Sequence, residues 1–251
     1  MNYYPDTYKD YKISFNKELA DYGNIVLQFL LDNNFFQHTD KIYNAMHIVN
    51  LNIDYPSLKI KSKDTGVYIE DPTIEDIILN KIVRELNPEL LPTRLKFEIF
   101  DPVPKYVNLN KKLFRYPYLE SIKKDDADGR YDGPSPSVVW HFDNLAYNNM
   151  VSITFLDEVT QQGGGTSVSS EQLVAVYNED TTLNEKETFK NIDNPAEIKG
   201  VQVVGPAGTI VTFNSHLLHS GGIPVDKSRK AMLIDFHSTN PNHLHPGITV
   251  N

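Results

Sequence analysis

Thr209-Ile210-Val211-Thr212-Phe213-Asn214-Ser215-His216-Leu217-Leu218-His219-Ser220-Gly221-Gly222 decides the fold. It opens with β-branched and aromatic residues and ends in two glycines, so it reads as a strand running into a tight turn. The same pattern recurs on both sides. Lys230 to Phe236 follows it, and Val201 to Val204, Leu173 to Tyr177, Val151 to Leu156, Ser137 to Asp143 and Leu95 to Phe100 precede it. Gly205-Pro206, Gly163-Gly164-Gly165 and Asp132-Gly133-Pro134 separate them. Short strands punctuated in this way specify a mainly β domain, a sandwich or barrel.

Upstream the period changes. Between Phe15 and Phe36, the residues Leu19, Tyr22, Ile25, Val26, Phe29 and Leu30 follow a 3.6-residue repeat and predict a helix. A second helix fits Asp71 to Asn87. Asp71 caps it, Pro72 suits its first position, Ile74, Ile77, Ile78, Ile82 and Leu86 form its apolar stripe, and Pro88 stops it. The expected organisation is one domain over residues 1–251, with a mainly helical scaffold over 1–92 and a β core over 93–240. Asp101 to Ser135 and Asn178 to Lys199 are polar and read as long surface loops.

Composition narrows the function. With 251 residues, 40% of them hydrophobic, the chain can bury a sizeable core. Its 24 basic and 33 acidic residues give a net charge of −9, which disfavours a nucleic-acid partner. The absence of cysteine excludes disulfides, zinc–thiolate sites, iron–sulfur clusters and thiol nucleophiles. There is no signal-peptide pattern at the start and no apolar run near the ~20 residues of a membrane span, so a cytoplasmic protein without a membrane partner is expected.

Val138-Val139-Trp140-His141-Phe142-Asp143-Asn144 carries the chemistry. On a strand, His141 and Asp143 share one face while Trp140 and Phe142 take the other. An imidazole and a carboxylate so placed can reach one metal ion. Two histidines and one carboxylate on one side of an ion leave coordination positions open, the arrangement of non-haem iron(II) oxygenases. His219, just before the paired glycines, is the third candidate ligand, and His216 is its competitor. Arg229, ten residues after His219, can grip a carboxylate bidentately. Lys230 is the fallback, although alternation turns it to the opposite face.

His141-x-Asp143, His219 and Arg229, in this order, resemble the 2-oxoglutarate/iron(II)-dependent dioxygenase superfamily. The closer resemblance is to its phytanoyl-CoA dioxygenase-like branch. Phe155 to Gly164 looks like that branch's strand, acidic turn and glycine-rich turn, and Gly205 to Phe213 with His219-Ser220-Gly221 looks like its approach to the distal histidine. The likeness covers roughly Ser137 to Ser238. It implies a double-stranded β-helix (jelly-roll, cupin-like) core with flanking helices. It also implies Fe(II) on His141, Asp143 and His219, with 2-oxoglutarate as co-substrate held by Arg229, and O2 as oxidant. The expected reaction hydroxylates an unactivated C–H bond of a small polar metabolite, an amino acid or a natural-product intermediate, and gives succinate and CO2.

The chain departs from the family pattern in two places. The Gly-Ser-His segment has no clear counterpart, Thr166-Ser167-Val168-Ser169-Ser170 being nearest, and Gly221 stands where some relatives place a serine. Ser152 and Thr154 are the candidate hydroxyls for the co-substrate. Asn144 and Tyr147 are candidate substrate contacts, with Tyr131 also near the metal strand. Related halogenases carry Gly or Ala at the position of Asp143, so the carboxylate favours hydroxylation. Two rivals stay open on the sequence alone. One is a cupin-like metalloenzyme without 2-oxoglutarate, and the other is a non-catalytic β-sandwich binding module.

Overall fold

The computed structural model describes residues 3–38, 46–54, 57–86, 92–102, 140–143, 149–176, 184–188 and 198–237. Tyr11–Phe15 forms β1, which pairs antiparallel with β9 (Thr209–Asn214), a strand nearly 200 positions further on. β9 pairs with β6 (Asn149–Phe155), β6 with β11 (Arg229–His237), and β11 with β5 (Pro92–Phe100). β5 continues to β3 (Met46–Asp54), which pairs with both β2 (Gln37–His38) and β4 (Lys59–Ser62). A smaller antiparallel sheet has the order β10 (His219–Ser220), β7 (Ser167–Ser169), β8 (Gly200–Gln202).

Alternation sorts the two faces of the large sheet. Val151, Ile153 and Phe155 of β6, Val211 and Phe213 of β9, and Ala231 of β11 pack with Val168, Val203 and Leu217 from the side of the small sheet. Their neighbours Met150, Ile210, Met232, Ile234 and Phe236 turn the other way and pack under the helices. Both faces are therefore buried, as a jelly roll flanked by helices requires.

α1 (Lys17–Asp32) starts where Asn16, in extended conformation, accepts the Leu19 N–H at 3.1 Å. Its buried stripe is Leu19, Ala20, Gly23, Val26, Leu27 and Leu30. Asn16 also donates to the Tyr3 hydroxyl at 3.0 Å and to Glu85 at 3.3 Å, which ties the cap to the second helical segment. Asn16→Ala is expected to cost about 1–2 kcal/mol, read as a lower urea midpoint. An unchanged midpoint would show the cap to be dispensable.

The second helical segment runs through α2 (Pro72–Asp76), a π-helical stretch (Ile77–Val83) and α3 (Arg84–Leu86). Asp71 caps it by accepting from Thr73 and Ile74, as the sequence predicts. The wide turn is a departure from the regular helix expected. It buries Ile77, Ile78, Ile82 and Val83 together, a broader apolar face than a 3.6-residue winding presents. Each fully buried isoleucine stabilises by about 1.5–3 kcal/mol.

The structure corrects other expectations. Residues 1–92 supply β1, β2, β3 and β4 as well as helices, and all four strands join the large sheet, so the β core does not begin at residue 93. Leu173 to Tyr177 contributes only the bridge Val174↔Leu217 among the described residues. Of Ser137 to Asp143, the described part pairs through one bridge, His141↔His219, and is not a continuous strand. Most of the two long loops lies outside the described residues. Within the second of them, α4 (Glu185–Thr188) is a single short helix.

Candidate metal centre

Backbone pairing builds the centre. His141 donates its N–H to the His219 carbonyl at 2.9 Å, and His219 donates back to the His141 carbonyl at 3.0 Å. Residues opposite each other in an antiparallel bridge point their side chains to the same side. The two rings therefore sit 4.3 Å apart between centroids. Asp143 lies two residues on, its N–H bonded to the Ser215 carbonyl at 3.0 Å, which returns its side chain to the same face. Trp140 covers Gly200 so closely that a Cβ there would lie 2.3 Å from the indole.

Asp143 Oδ1 lies 3.7 Å from His141 Nε2, and its Oδ2 lies 3.6 Å from His219 Nε2. One ligand atom from each residue falls within 4.8 Å of the others. Ligands about 2.0–2.2 Å from a shared ion sit roughly 3–3.6 Å apart, so a small side-chain rotation closes the cluster on a metal. His219 Nδ1 lies 2.7 Å from the Leu217 carbonyl. An acceptor there fixes the proton on Nδ1 and leaves the Nε2 lone pair for the ion. The side chains of His141 and His219 are 12% and 8% exposed and that of Asp143 is 32%, so the cluster opens on the aspartate side. His216 is buried and lies outside the cluster.

A cavity adjoins these three residues. Arg94, Lys96 and Glu98 of β5 line it, together with Val151, Ile153, Thr166, Gly221 and Arg229. A larger groove between the end of α1 and the start of α2 is lined by none of the three. Arg229 is buried. It donates from Nη2 to Glu98 at 2.5 Å, and from Nη1 to the Gly164 carbonyl and, at 3.0 Å, to the Gly222 carbonyl. Its Nε is buried and has no partner among the described residues. The two carbonyls come close because the glycine turns meet backbone to backbone. Gly164 has a φ of +70°, and a Cβ there would lie 2.5 Å from Pro224 N, so only glycine fits. Lys96 Nζ contacts the second oxygen of Glu98 at 3.2 Å. Arg94 grips Asp235 at 2.5 and 2.6 Å.

Burial alone pushes the Glu98 carboxyl up, and Lys96 and Arg229 more than reverse this, holding it at about 2. The ordinary value is 4.5, so the stabilisation is complete above that pH and is lost as pH falls toward 2. Melting temperatures are expected to drop across this window, and Glu98→Gln should flatten the drop. An acid profile unchanged by that substitution would assign the lability to other carboxylates. Burial also raises the Asp235 carboxyl, with Arg94 opposing and Asp143 adding to the rise.

The structure thus brings His141, Asp143, His219 and Arg229 to one cavity. Ser152 and Thr154 do not join them. Val151 and Ile153 of the same strand face the cavity, so alternation turns the two hydroxyl residues to the helical side, where Ser152 meets Thr212 at 2.9 Å. The expected co-substrate hydroxyls are corrected accordingly. Lys230 points outward to Asp157 at 3.2 Å. Asn144, Tyr147 and Tyr131 lie outside the described residues. Arg94, Lys96, Glu98 and Thr166 are additions that the sequence does not announce. The alternation of Arg94, Lys96 and Glu98 with Leu95, Phe97 and Ile99 is the available signal. It reads as a solvated face unless the sheet is known to be covered on both sides.

No family model matches the chain, and no curated protein matches it in sequence. Solved structures do match in fold. The non-haem α-ketoglutarate-dependent carbocyclase SnoK from nogalamycin biosynthesis superposes with a TM-score of 0.52 at 12% identity, over 93% of this chain and 81% of that one. The epimerase SnoN, solved with Fe3+, α-ketoglutarate and nogalamycin RO, superposes with a TM-score of 0.53 at 12% identity, over 96% of this chain and 87% of that one. The chain therefore has the jelly-roll fold of these oxygenases. Among the described residues, no helix is long and apolar enough to cross a membrane.

Proposed function

We propose that the protein is a non-haem iron(II)- and 2-oxoglutarate-dependent oxygenase acting on a small polar metabolite. The observation that carries this reading is the shared cavity: two imidazoles and a carboxylate converge on one point, and a buried guanidinium, one N–H of which has no partner among the described residues, lines the same space. His141, Asp143 and His219 would hold the iron, and Arg229 would meet the distal carboxylate of the oxo acid. Bound iron with an oxo acid supplies the activation of O2 that amino-acid side chains lack.

The residues supply the rest. The Leu217 carbonyl keeps the proton of His219 away from the ligand nitrogen. Val151, Ile153, Phe213 and Leu233 keep one wall of the cavity dry. The exposed side of Asp143 gives substrate its approach. Arg94 and Asp235 place polar groups near that side, which suits an amino acid or a polar natural-product intermediate. Hydroxylation is the proposed outcome. SnoK and SnoN are a carbocyclase and an epimerase, so the product is the feature to measure.

The test is anaerobic iron(II) titration, followed by succinate formation with O2 and 2-oxoglutarate across amino acids and small polar metabolites, with product masses recorded. Stoichiometric iron and substrate-stimulated succinate are expected, with a product about 16 mass units heavier. Iron binding without any effect of 2-oxoglutarate would favour a cupin-like metalloenzyme. A protein that takes up no iron would be a binding module.

A further inference from the structure

Among the described residues, the charges around the cavity do not balance once a metal is present. Of the described lining residues, Arg94, Lys96 and Arg229 are positive and Glu98 and Asp143 negative, and Asp235, which pairs with Arg94 without lining the cavity, adds a third negative group. A divalent ion on the histidine–aspartate cluster leaves two positive charges over. A dianion restores neutrality among these groups, whereas a monocarboxylic oxo acid leaves one charge uncompensated beside the buried Arg229–Glu98 pair, which is costly.

The leftover charge has an address. Asp235 answers Arg94, and the metal ligand Asp143 belongs to the ion. Glu98 must then serve two cations, with one oxygen 2.5 Å from Arg229 and the other 3.2 Å from Lys96. Arg229 and Glu98 are buried, and the Lys96 side chain is only 17% exposed. One carboxylate thus holds two cationic heads at the same wall and neutralises only one of them. Arg229 already commits most of its donors to Glu98, Gly164 and Gly222, and offers Nε. Lys96 carries three N–H donors and has this single ion pair among the described contacts.

We propose that Lys96 is a second binding residue for the distal carboxylate of the oxo acid, acting beside Arg229, and that it makes the site selective for a dicarboxylic over a monocarboxylic oxo acid. This rests on the oxygenase reading above. Glu98 holds the Lys96 ammonium at the cavity wall and leaves it one charge short of neutral, which the distal carboxylate supplies.

The test uses the full chain, iron-loaded and anaerobic, with calorimetric affinities for 2-oxoglutarate and for 2-oxobutyrate, which lacks the distal carboxylate. Wild type is expected to prefer 2-oxoglutarate. Lys96→Met should weaken 2-oxoglutarate by about 10- to 100-fold and leave 2-oxobutyrate unchanged, and Lys96→Arg should restore the preference. Binding of 2-oxobutyrate certifies that the variant is folded and metal-loaded, and Lys96→Gln serves if the methionine variant does not fold. A Lys96→Met protein that keeps the wild-type preference, or that weakens both oxo acids equally, overturns the role of Lys96 while leaving the oxygenase reading intact. A wild type that binds neither oxo acid overturns that reading and this inference with it.

Discussion

His219→Ala is expected to lose iron(II) affinity and to reduce succinate formation to background. Disturbing only the outer hydrogen bond of a ligating histidine costs about 10- to 100-fold, and this change removes the ligand itself, so the loss should exceed that range. The fold should survive, because His219 is held in place through its main chain, by the reciprocal bonds to His141. The variant should therefore melt close to wild type while failing to take up iron. His216→Ala is the contrast and should still bind iron, since His216 lies outside the cluster. Anaerobic titration with oxo-acid turnover checks both. Full iron uptake by His219→Ala would move the third ligand elsewhere.

Arg229→Met should produce two effects at once. The sequence alone predicts a raised 2-oxoglutarate requirement. The structure adds a loss of stability, because Arg229 neutralises the buried Glu98 and satisfies the carbonyls of Gly164 and Gly222. Removing one partner of a buried ion pair costs about 3–5 kcal/mol. Lys96 retains part of the compensation, so the lower end is expected. Replacing Glu98 by methionine as well should recover part of the stability without recovering oxo-acid binding: it removes the uncompensated carboxylate, while Lys96 and the carbonyls of Gly164 and Gly222 stay without these partners. Urea denaturation and calorimetry separate the two readouts. If Arg229→Met is as stable as wild type, Arg229 is no structural tie between the glycine turns.

The strands that face a core on both sides are legible in the sequence. β6, β9 and β11 are rich in apolar residues, and their boundaries lie within a few residues of the expected ones. β1 is hidden because it is an edge strand. Ile13 and Phe15 are 49% and 50% exposed, so its alternation marks no buried face. β3 is hidden for another reason. Val49, Leu51 and Ile53 are buried, but His47, Asn50 and Asn52 around them resemble loop residues. At the site, residue spacing suffices to pair His141 with Asp143. Choosing His219 over His216 depends on which backbone pairs with His141, a long-range fact. Ser152 and Thr154 mislead because hydroxyls can be buried when they bond across a sheet, as Ser152 does with Thr212. The Glu98 network becomes visible only with the covered sheet, which makes its charges internal.

The pairing of β1 with β9 has a consequence for biosynthesis. β1 leaves the ribosome well before its partner, which is made only when residues 209–214 appear, directly ahead of the segment that carries His219. At about 5–20 residues per second the delay is roughly 10–40 s. During that interval β1 lacks its partner among the described strands, and the amides and carbonyls beside Ile13 and Phe15 stay open in the way that recruits foreign strands. His219, the proposed third metal ligand, is made directly after β9, so the partner of β1 and this candidate ligand emerge in succession. If the oxygenase reading holds, chaperone dependence and the gain of iron binding should follow the synthesis of β9 in close succession.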